Sequence, residues 1–393
     1  MTEARLHVLC DTGSLQAITP PGAALWLGHG KIFGRPVNLH ARLGAVVAAD
    51  DLARLADFLM ASQQESAPLI GLFDSPGCRD NAGAALAAQM ACFAASGVTG
   101  AQAPTLSIIC GEALGFDAVL AASADFTILA APNGRASMAT PPTIRAITGI
   151  LPCGDEPMAH SVDLVCGNEV EALLAARDLI DLLCGQGRAM IPDEPPLEGL
   201  ETILPLDQQA GYAPAPLLSS LLDSGWIEFG GWHGRGLLTG VGRLGSRTVG
   251  LLVSNTNHQG GALDTSCCQK GAAFVVRCTR LGLPVVAFVD CPGFLPGVGQ
   301  ERAGLLRAAS ALARSLAAAP CVALTIRYGL GPAYAALTAG AVGRRLCWPG
   351  ALLGGLKPVD DPLKVGLVDW LIAPAQSRIA LANALTMMMG ERP

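Results

Sequence analysis

The sequence predicts an α/β protein made of two related halves. Residues 284–334 read as a buried strand, a loop rich in proline and glycine, a long helix, a second strand and another helix. This alternation is typical of a parallel sheet covered by helices, with ligand-sized loops after the strands. Motifs from the first half of the chain also recur in the second half in the same order. Together these observations predict a duplicated α/β fold.

The first half contains a hairpin followed by alternating strands and helices. Residues 26–41 alternate apolar and polar side chains around a turn at Phe33, Gly34 and Arg35, which predicts a β-hairpin. A proline and glycine turn at 132–134 closes the last strand of this half. Apolar runs predict strands at 68–73, 105–110 and 125–130, and helical spacing predicts helices at 48–66, 83–96 and 169–183.

The second half follows the same plan. Residues 237–254 correspond to the first hairpin, and apolar runs predict strands at 285–289, before Asp290, and at 321–327. One long helix rich in alanine and leucine is expected from near Glu301 to just before Pro320. Further helices are expected at 214–222, 271–281, from near Ala333 and at 376–389.

Three pairs of motifs indicate an internal duplication. The hairpin sequences around Gly28 and Gly240 match at a separation of 212 positions. The other two pairs, at a separation of 216 positions, are FDSPG at 73–77 with VDCPG at 289–293, and Gly115 with Gly331. Because the three motifs keep their order at a near-constant separation, chance similarity is a poor explanation.

The two halves are expected to be two domains, residues 1–200 and 201–393. The intervening residues 150–225 are richer in proline and acidic side chains, which is typical of the end of one domain and a linker. The boundary is therefore placed within 195–215. A chain of 393 residues has room for two domains of ordinary size.

The composition excludes several classes of protein. The net charge is −6 and long basic runs are absent from the sequence, so no nucleic-acid partner is expected. Apolar residues make up 51% and charged residues 15%, which indicates large cores and buried subunit contacts. The mean hydropathy is +0.43, yet apolar runs break well before the roughly 18 residues of a membrane span. A cytoplasmic protein with no membrane partner is expected, since the N-terminus lacks a signal-peptide pattern.

The thirteen cysteines are scattered and form no C-x-x-C pair, so neither a metal site nor a disulfide framework is expected. Small buried thiols are the simpler interpretation. Cys291 stands at a strand end where a nucleophile could lie, but Pro292 beside it favours a turn.

The most specific segments are VDCPGFLPGVGQERAGLL at 289–306 and PCVALTIRYGLGPAY at 320–334, with CWPGALLGG at 347–355. GALDTSCCQKGAAFVVRCTRLGLPVV precedes them at 261–286, and GHGKIFGRPV, FDSPGCRDNAG and GEALGFDAVL lie in the first half. Over most of its length the chain resembles the carboxyltransferase (β) subunits of biotin-dependent acyl-CoA carboxylases, in the propionyl-CoA carboxylase group.

This resemblance implies tandem crotonase-like (ClpP/crotonase) domains, each a ββα superhelix. It also implies a homo-oligomer, from dimer to hexamer, in which the first domain of one protomer faces the second domain of another. The implied reaction moves a carboxyl group between carboxybiotin and the α-carbon of an acyl-CoA. The implied partners are an acyl-CoA or acyl-carrier thioester and a biotin carboxylase or carrier subunit.

The resemblance also assigns site residues. Backbone amides at a helix start would form an oxyanion hole for the thioester enolate in one domain and for the biotin ureido oxygen in the other. Gly115 and Phe116 would hold the thioester oxygen, and Gly331 and Ala333 would line the opposing pocket. The expected contacts to the coenzyme A part are Arg79, Lys270, Gly293 and Phe294. For Arg79 a surface loop, and for Lys270 a solvated helix start, fit the sequence equally well.

The chain departs from the family pattern at both turns. A Gly-Gly pair is expected in the first, where this chain has Gly115 and Phe116, followed by the charged Asp117. In the second turn Pro332 has no N–H, and Ala335 replaces an acidic residue. Biotin use is therefore open. The alternatives to carboxyl transfer are a biotin-independent decarboxylase, other acyl-thioester chemistry, or a catalytically inactive scaffold subunit of a carboxylase complex.

Overall fold

The computed structural model describes residues 2–42, 44, 46–75, 77, 83–97, 103–150, 162–185, 199–355 and 357–390. They fall into two units, Met1–Gly185 and Gln186–Pro393. The expected boundary interval, 195–215, begins outside the described residues.

The first unit is organised around one sheet. Its antiparallel hairpin leads into parallel strands, because a helix precedes each of the next three strands and brings the chain back to the same end of the sheet. The strands are β1 (Gln16–Ala17), β2 (Leu25–Ile32), β3 (Arg35–Arg42), β4 (Leu69–Ser75), β5 (Thr105–Leu114), β6 (Phe126–Ala130), β7 (Arg135–Ser137) and β8 (Leu164–Cys166). They pair in the order β1-β2-β3-β4-β5-β6-β8, with β7 beside β5.

The long helices of the first unit bury apolar side chains. The first long one buries Leu52, Leu55 and Leu59 at helical spacing, as the sequence predicts. The helices are α1 (Thr2–Leu9), α2 (Ala49–Ser62), α3 (Gly83–Ser96), α4 (Phe116–Ala122), α5 (Pro141–Thr148) and α6 (Glu169–Cys184).

The second unit repeats this sheet. Its strands are β9 (Ile227–Phe229), β10 (Leu237–Leu244), β11 (Arg247–Ser254), β12 (Val285–Cys291), β13 (Cys321–Leu330), β14 (Arg345–Cys347), β15 (Leu352–Gly354) and β16 (Trp370–Leu371). The order β16-β14-β13-β12-β11-β10-β9, with β15 beside β13, is that of the first unit strand by strand. The predicted α/β class and duplication are confirmed by this match.

The helices of the second unit are α7 (Ala215–Leu221), α8 (Thr265–Arg280), α9 (Val298–Ala303), α10 (Leu305–Ala318), α11 (Gly331–Leu337) and α12 (Ser377–Met388). The single long helix expected from Glu301 is wrong, because α9 and α10 are separated at Gly304. This glycine has φ 86°, a left-handed conformation that ends the first helix.

The hairpin tips show how closely the duplication is preserved. The Asp11 carboxylate accepts hydrogen bonds from the amides of Phe33 and Gly34, at 3.1 and 2.7 Å. Asp223, 212 positions later, accepts from the amides of Gly245 and Ser246. In both turns the two amide-bearing residues have positive φ, as a tight hairpin turn requires.

Each unit has its own apolar core. Leu52, Phe73 and Ile109 belong to the first, and Val249, Phe288 and Leu324 to the second. Within the described ranges, none of the helices has the length and apolar character needed to cross a bilayer.

Candidate functional site

In the first unit, β5 opens into α4 through a glycine turn. Gly115 has φ 54° and ψ −114°, and a positive φ of this kind favours glycine. Helix α4 begins at the next residue, Phe116, and Val119 N–H closes its first turn on Gly115 O at 3.1 Å. The N–H groups at the start of α4 have no acceptors within the helix.

The amide of Gly115 is already engaged. It donates to the carbonyl oxygen of Ser137 at 2.8 Å and so extends the pairing of β5 with β7. The expected donor pair of Gly115 and Phe116 is corrected accordingly. Gly115 supplies the turn, and Phe116 N–H is the donor that the turn can offer.

The bulky Phe116 side chain fits this turn without strain. The positive φ falls on Gly115 and none falls on Phe116, which has helical geometry. Its ring packs edge-on against Phe93 of α3, with ring centroids 5.0 Å apart. The side chain is therefore held by a neighbouring helix, and the backbone amide of Phe116 lies in the first turn of α4, where it has no acceptor within the helix.

Asp117, the second residue of α4, is paired. Its Oδ1 lies 2.9 Å from Nε of Arg42, the last residue of β3, and both side chains are buried. Burial raises the pKa of the Asp117 carboxyl, and the Arg42 guanidinium opposes that rise. The negative charge beside the turn is consequently matched by a cation in the interior.

The second unit has the same turn with different side chains. Gly331 has φ 62°, and Pro332 occupies the first turn of α11, where its missing N–H breaks no helical hydrogen bond. The side chain of Ala333 is fully buried. Because the first amides of a helix lack internal acceptors, Ala333 N–H is the donor this turn retains.

A groove of about 550 Å³ adjoins this second turn. The hydroxyl of Tyr334 in its wall donates to Leu367 O at 2.9 Å. The groove is lined without a charged side chain by Gly331, Pro332, Tyr334, Ala335, Gly354, Gly355, Val359, Val365 and Leu367. It suits apolar or neutral groups better than anions.

Asp290, at the end of β12, has an internal structural role. Arg327 Nε donates to its Oδ2 at 2.8 Å, and the amide of Tyr328 donates to its Oδ1 at 3.1 Å. Burial raises the pKa of the fully buried Asp290 carboxyl, and the hydrogen bond from Arg327 opposes the rise. The same arginine also donates to the carbonyls of Gln208 and Ala210. This network fixes the start of the loop after β12 against β13.

Gly293 and Phe294, two expected contact residues, lie in that loop. Leu263 N–H donates to Gly293 O at 3.0 Å, and Leu263 also bridges to Phe294 as in a parallel sheet. The Gln300 side chain accepts from Thr265 at the start of α8. These bonds join the loop after β12 to the segment after β11, at the carboxyl edge of the sheet.

Lys270 is directed into the unit. Its Nζ donates to the carbonyls of Gly230 and His233 at 3.1 and 2.7 Å, and burial lowers its pKa to about 8. This placement favours a structural lysine over a phosphate contact. Arg79, the other expected cation, lies outside the described residues.

Burial raises the pKa of the Cys291 thiol to about 12, so it is not a thiolate near neutral pH. Across the described part of the chain, side chains that could ligate a metal do not cluster in threes.

Two features of the sites escaped the sequence reasoning. Arg42 was not considered, although its counterpart at 212 positions is the uncharged Ser254. The residues 259–261 also have positive φ throughout, at the carboxyl edge of the second sheet. A comparison of charges between the duplicated halves would have found Arg42. The Gly-Gly pair at 260–261 was the sequence signal for the positive φ angles.

Comparison with known proteins gives a consistent family. The family model for the carboxyl transferase domain matches residues 9–358. The propionyl-CoA carboxylase beta chain of Rhodococcus erythropolis is 30% identical over 370 residues, covering 87% of this chain and 76% of the relative. The methylmalonyl-CoA decarboxylase subunit alpha of Veillonella parvula is 25% identical, with coverages of 95% and 83%.

Among solved structures, transcarboxylase 12S, described as a hexamer with hydrolysed methylmalonyl-coenzyme A bound, superposes with a TM-score of 0.90. The identity is 23%, and the alignment covers all of this chain and 90% of the other. At this identity the likeness concerns the fold. The prediction of two crotonase-like units is confirmed.

Proposed function

The chain belongs to the carboxyl transferase domain family, and from this premise we propose that it acts on acyl-CoA or malonyl-CoA thioesters as an acyl-CoA carboxyltransferase. The reaction forms or uses an enolate at the α-carbon of the acyl group. Phe116 N–H stabilises the enolate oxygen. The substrate class rests on the names of the relatives, among which is a propionyl-CoA carboxylase.

The observation that carries the proposal is the turn at Gly115. A glycine with positive φ ends a central strand, and a helix starts directly after it, where the first amides have no acceptor within the helix. The same geometry recurs at Gly331, although the side chains around the two turns differ. Because the two units keep the same backbone turn while the side chains around it differ, we infer that the backbone itself has the chemical role.

The chemistry needs no side-chain nucleophile. When the bond between the α-carbon and the carboxyl carbon breaks, its electron pair forms the enolate and CO₂ departs; the α-carbon then takes a proton. In the carboxylation direction the α-carbon gives up a proton to form the same enolate, which bonds to the carboxyl carbon of the donor while the bond from that carbon to its carrier breaks and leaves its electron pair on the carrier. An amide aimed at the developing oxyanion is worth about 3 kcal/mol of transition-state stabilisation, and helix α4 adds its positive N-terminal end.

The second turn fits biotin less well than the family pattern. Pro332 has no N–H, which leaves Ala333 N–H where two donors would face a ureido oxygen. No reaction step is therefore assigned to carboxybiotin. A partnership with a biotin carboxylase or carrier subunit depends on the same question of biotin use.

A biotin-independent decarboxylase is the second candidate. Pro332 favours it, because decarboxylation requires the enolate site in the first unit and no donor site for a carboxyl carrier. One relative is named as a subunit of a decarboxylase, which supports the decarboxylation part of this candidate.

We also propose a homo-oligomer. On α3, Leu86 and Met90 are 59% and 65% exposed, and α5 has no buried residue although its Ile147 is apolar. Apolar surface of this extent on one unit is typical of a subunit interface. The catalytically inactive scaffold would also use such a surface, so activity decides between them.

The test is a reaction series with the purified protein. Malonyl-CoA, methylmalonyl-CoA and acetyl-CoA are incubated with and without free biotin and bicarbonate, and products are identified by mass spectrometry. Decarboxylation without biotin is expected for the second candidate, and biotin-dependent exchange for the first. Absence of both turnover and CoA binding would refute the enzyme and leave the scaffold.

A variant sharpens the biotin question. Pro332→Gly restores an amide to the second turn and should raise biotin-dependent exchange by roughly tenfold or more. Pro332→Ala is the matched control, since it also restores N–H without the conformational freedom of glycine. If neither variant alters exchange, the missing amide is not the reason for low biotin use.

A further inference from the structure

The buried ion pair beside the first turn links two distant elements. Asp117 is the second residue of α4, and Arg42 ends β3; β4 lies between β3 and β5 in the sheet. Asp117 Oδ1 is 2.9 Å from Arg42 Nε, and the side chains are 4% and 0% exposed. The start of α4 is therefore tied across the sheet to the end of the hairpin.

The second unit folds without such a pair. Arg42 pairs with Leu25 at the end of the first hairpin, and Ser254 pairs with Leu237 at the same place in the second. Asp117 corresponds to Ala333, two residues after the turn glycine in each case. The two sheets nevertheless have the same strand order. Since burying two charges rarely adds net stability, stability of the fold does not explain the pair.

The contacts of the Arg42 guanidinium show how strongly it depends on Asp117. Its guanidinium carbon lies 4.8 Å from the centre of the Phe73 ring. Among the described residues, neither Nη1 nor Nη2 has a hydrogen-bond partner. The Asp117 carboxylate thus offsets the burial of this cation, and a shift of α4 would weaken that contact.

We propose that Arg42, acting through Asp117, holds the first turn of α4 in place and so sets the position of the Phe116 amide. Both are positioning residues, since the thioester would contact the amide and not the pair. The catalytic readout rests on the proposed function; the dynamic readout does not.

The test exchanges the pair for its counterparts in the second unit. The double variant Arg42→Ser with Asp117→Ala leaves no unpaired charge but opens a cavity where the buried guanidinium lay, so its melting temperature should fall by several degrees. Hydrogen–deuterium exchange followed by mass spectrometry should become about tenfold faster at 116–120, with no change at 333–337. Unchanged exchange at 116–120 overturns the proposal.

Kinetics separate positioning from a purely structural role. In the double variant kcat for the thioester should fall about tenfold at an unchanged KM, because the lost interaction acts in the transition state. A kcat for the double variant equal to that of the parent would overturn the proposal. Arg42→Lys, which keeps the charge, should keep exchange at 116–120 within about twofold of the parent. This variant provides the exchange test if the double variant fails to fold. Parent-like exchange at 116–120 in Arg42→Lys would support the positioning role. Exchange as fast as that expected for the double variant would overturn it.

If the parent protein turns over no thioester but exchange responds as expected, the proposed function fails and the positioning role stands.

Discussion

An aspartate stands at the end of the second parallel strand of each unit, but different arginines pair with it. In the second unit, Asp290 is fully buried and Arg327 of the neighbouring strand pairs with it. In the first unit, Asp74 is 28% exposed and Arg5 of α1 pairs with it. Gly111 stands where Arg327 stands in the second unit.

This difference teaches that duplication preserves the backbone and lets the charge partners change. In the second unit the anchor is internal to the sheet. In the first it depends on α1, because Arg5 also pairs with Glu169 at 2.8 Å. The aspartate at the end of β4 is therefore held through α1 and α6.

The largest expected effect is at the internal anchor. Arg327→Met leaves the Asp290 carboxylate buried without its cation and should cost about 3–5 kcal/mol of unfolding free energy. Urea denaturation followed by circular dichroism measures it. Arg5→Met is the matched variant of the first unit and should cost about 1–2 kcal/mol, since its partner is partly solvated. Equal losses of unfolding free energy in the two variants would contradict the difference between the two aspartate–arginine pairs.

A smaller effect is expected where the missing arginine would be. A Cβ on Gly111 would collide with the Asp74 carboxylate, so Gly111→Ala should cost about 1–3 kcal/mol. Gly299→Ala is the control, because a Cβ there meets open space within a helix, and it should be neutral or stabilising. Equal melting temperatures for the two variants would contradict the close approach at Gly111.

The smallest effect is expected at the hairpin tip. Hydrogen bonds from Gly34, Arg177 and Phe33 hold the pKa of the Asp11 carboxyl below its usual value. A lowered carboxyl pKa contributes stability above the unfolded value, about 3.9, and this contribution disappears as pH falls through the folded value. It should amount to less than about 1 kcal/mol.

Unfolding free energies at pH 6 and pH 3 check this. Asp11→Asn should lose less stability on acidification than the parent does. Asp51→Asn, which removes one partner of an exposed pair with Arg54, should follow the parent curve. Identical pH dependence in all three proteins would show that the tip carboxylate is not coupled to folding.

The fold was largely predictable because its signals are local. Alternation in the hairpins, apolar strands and the repeated motifs predicted the strands, the α/β class and the duplication, whereas the order of the strands in each sheet came from the structure. The helix break at Gly304 was missed because the apolar spacing continues through it, and its φ of 86° is a property of the folded turn.

The site was predictable only in part. The glycines at 115 and 331 could be placed from the repeat, since only their order in the sequence was needed. The engagement of Gly115 N–H by Ser137, and the pairing of Asp117 with Arg42, depend on residues distant in sequence. No local pattern encodes those partners, although unmatched charges between the halves pointed to the second.

The ion pairs of Arg5 have a practical consequence for protein preparation. Arg5 lies in the first helix, and its guanidinium contacts Asp74 at the end of β4. A bulky affinity tag fused directly before this helix, or trimming of residues 2–9, would disturb the end of β4, which lies beside the strand that leads into the Gly115 turn. Purified material is therefore best tagged at the other terminus, and low activity of a protein tagged at the N-terminus should be rechecked after the tag is cleaved.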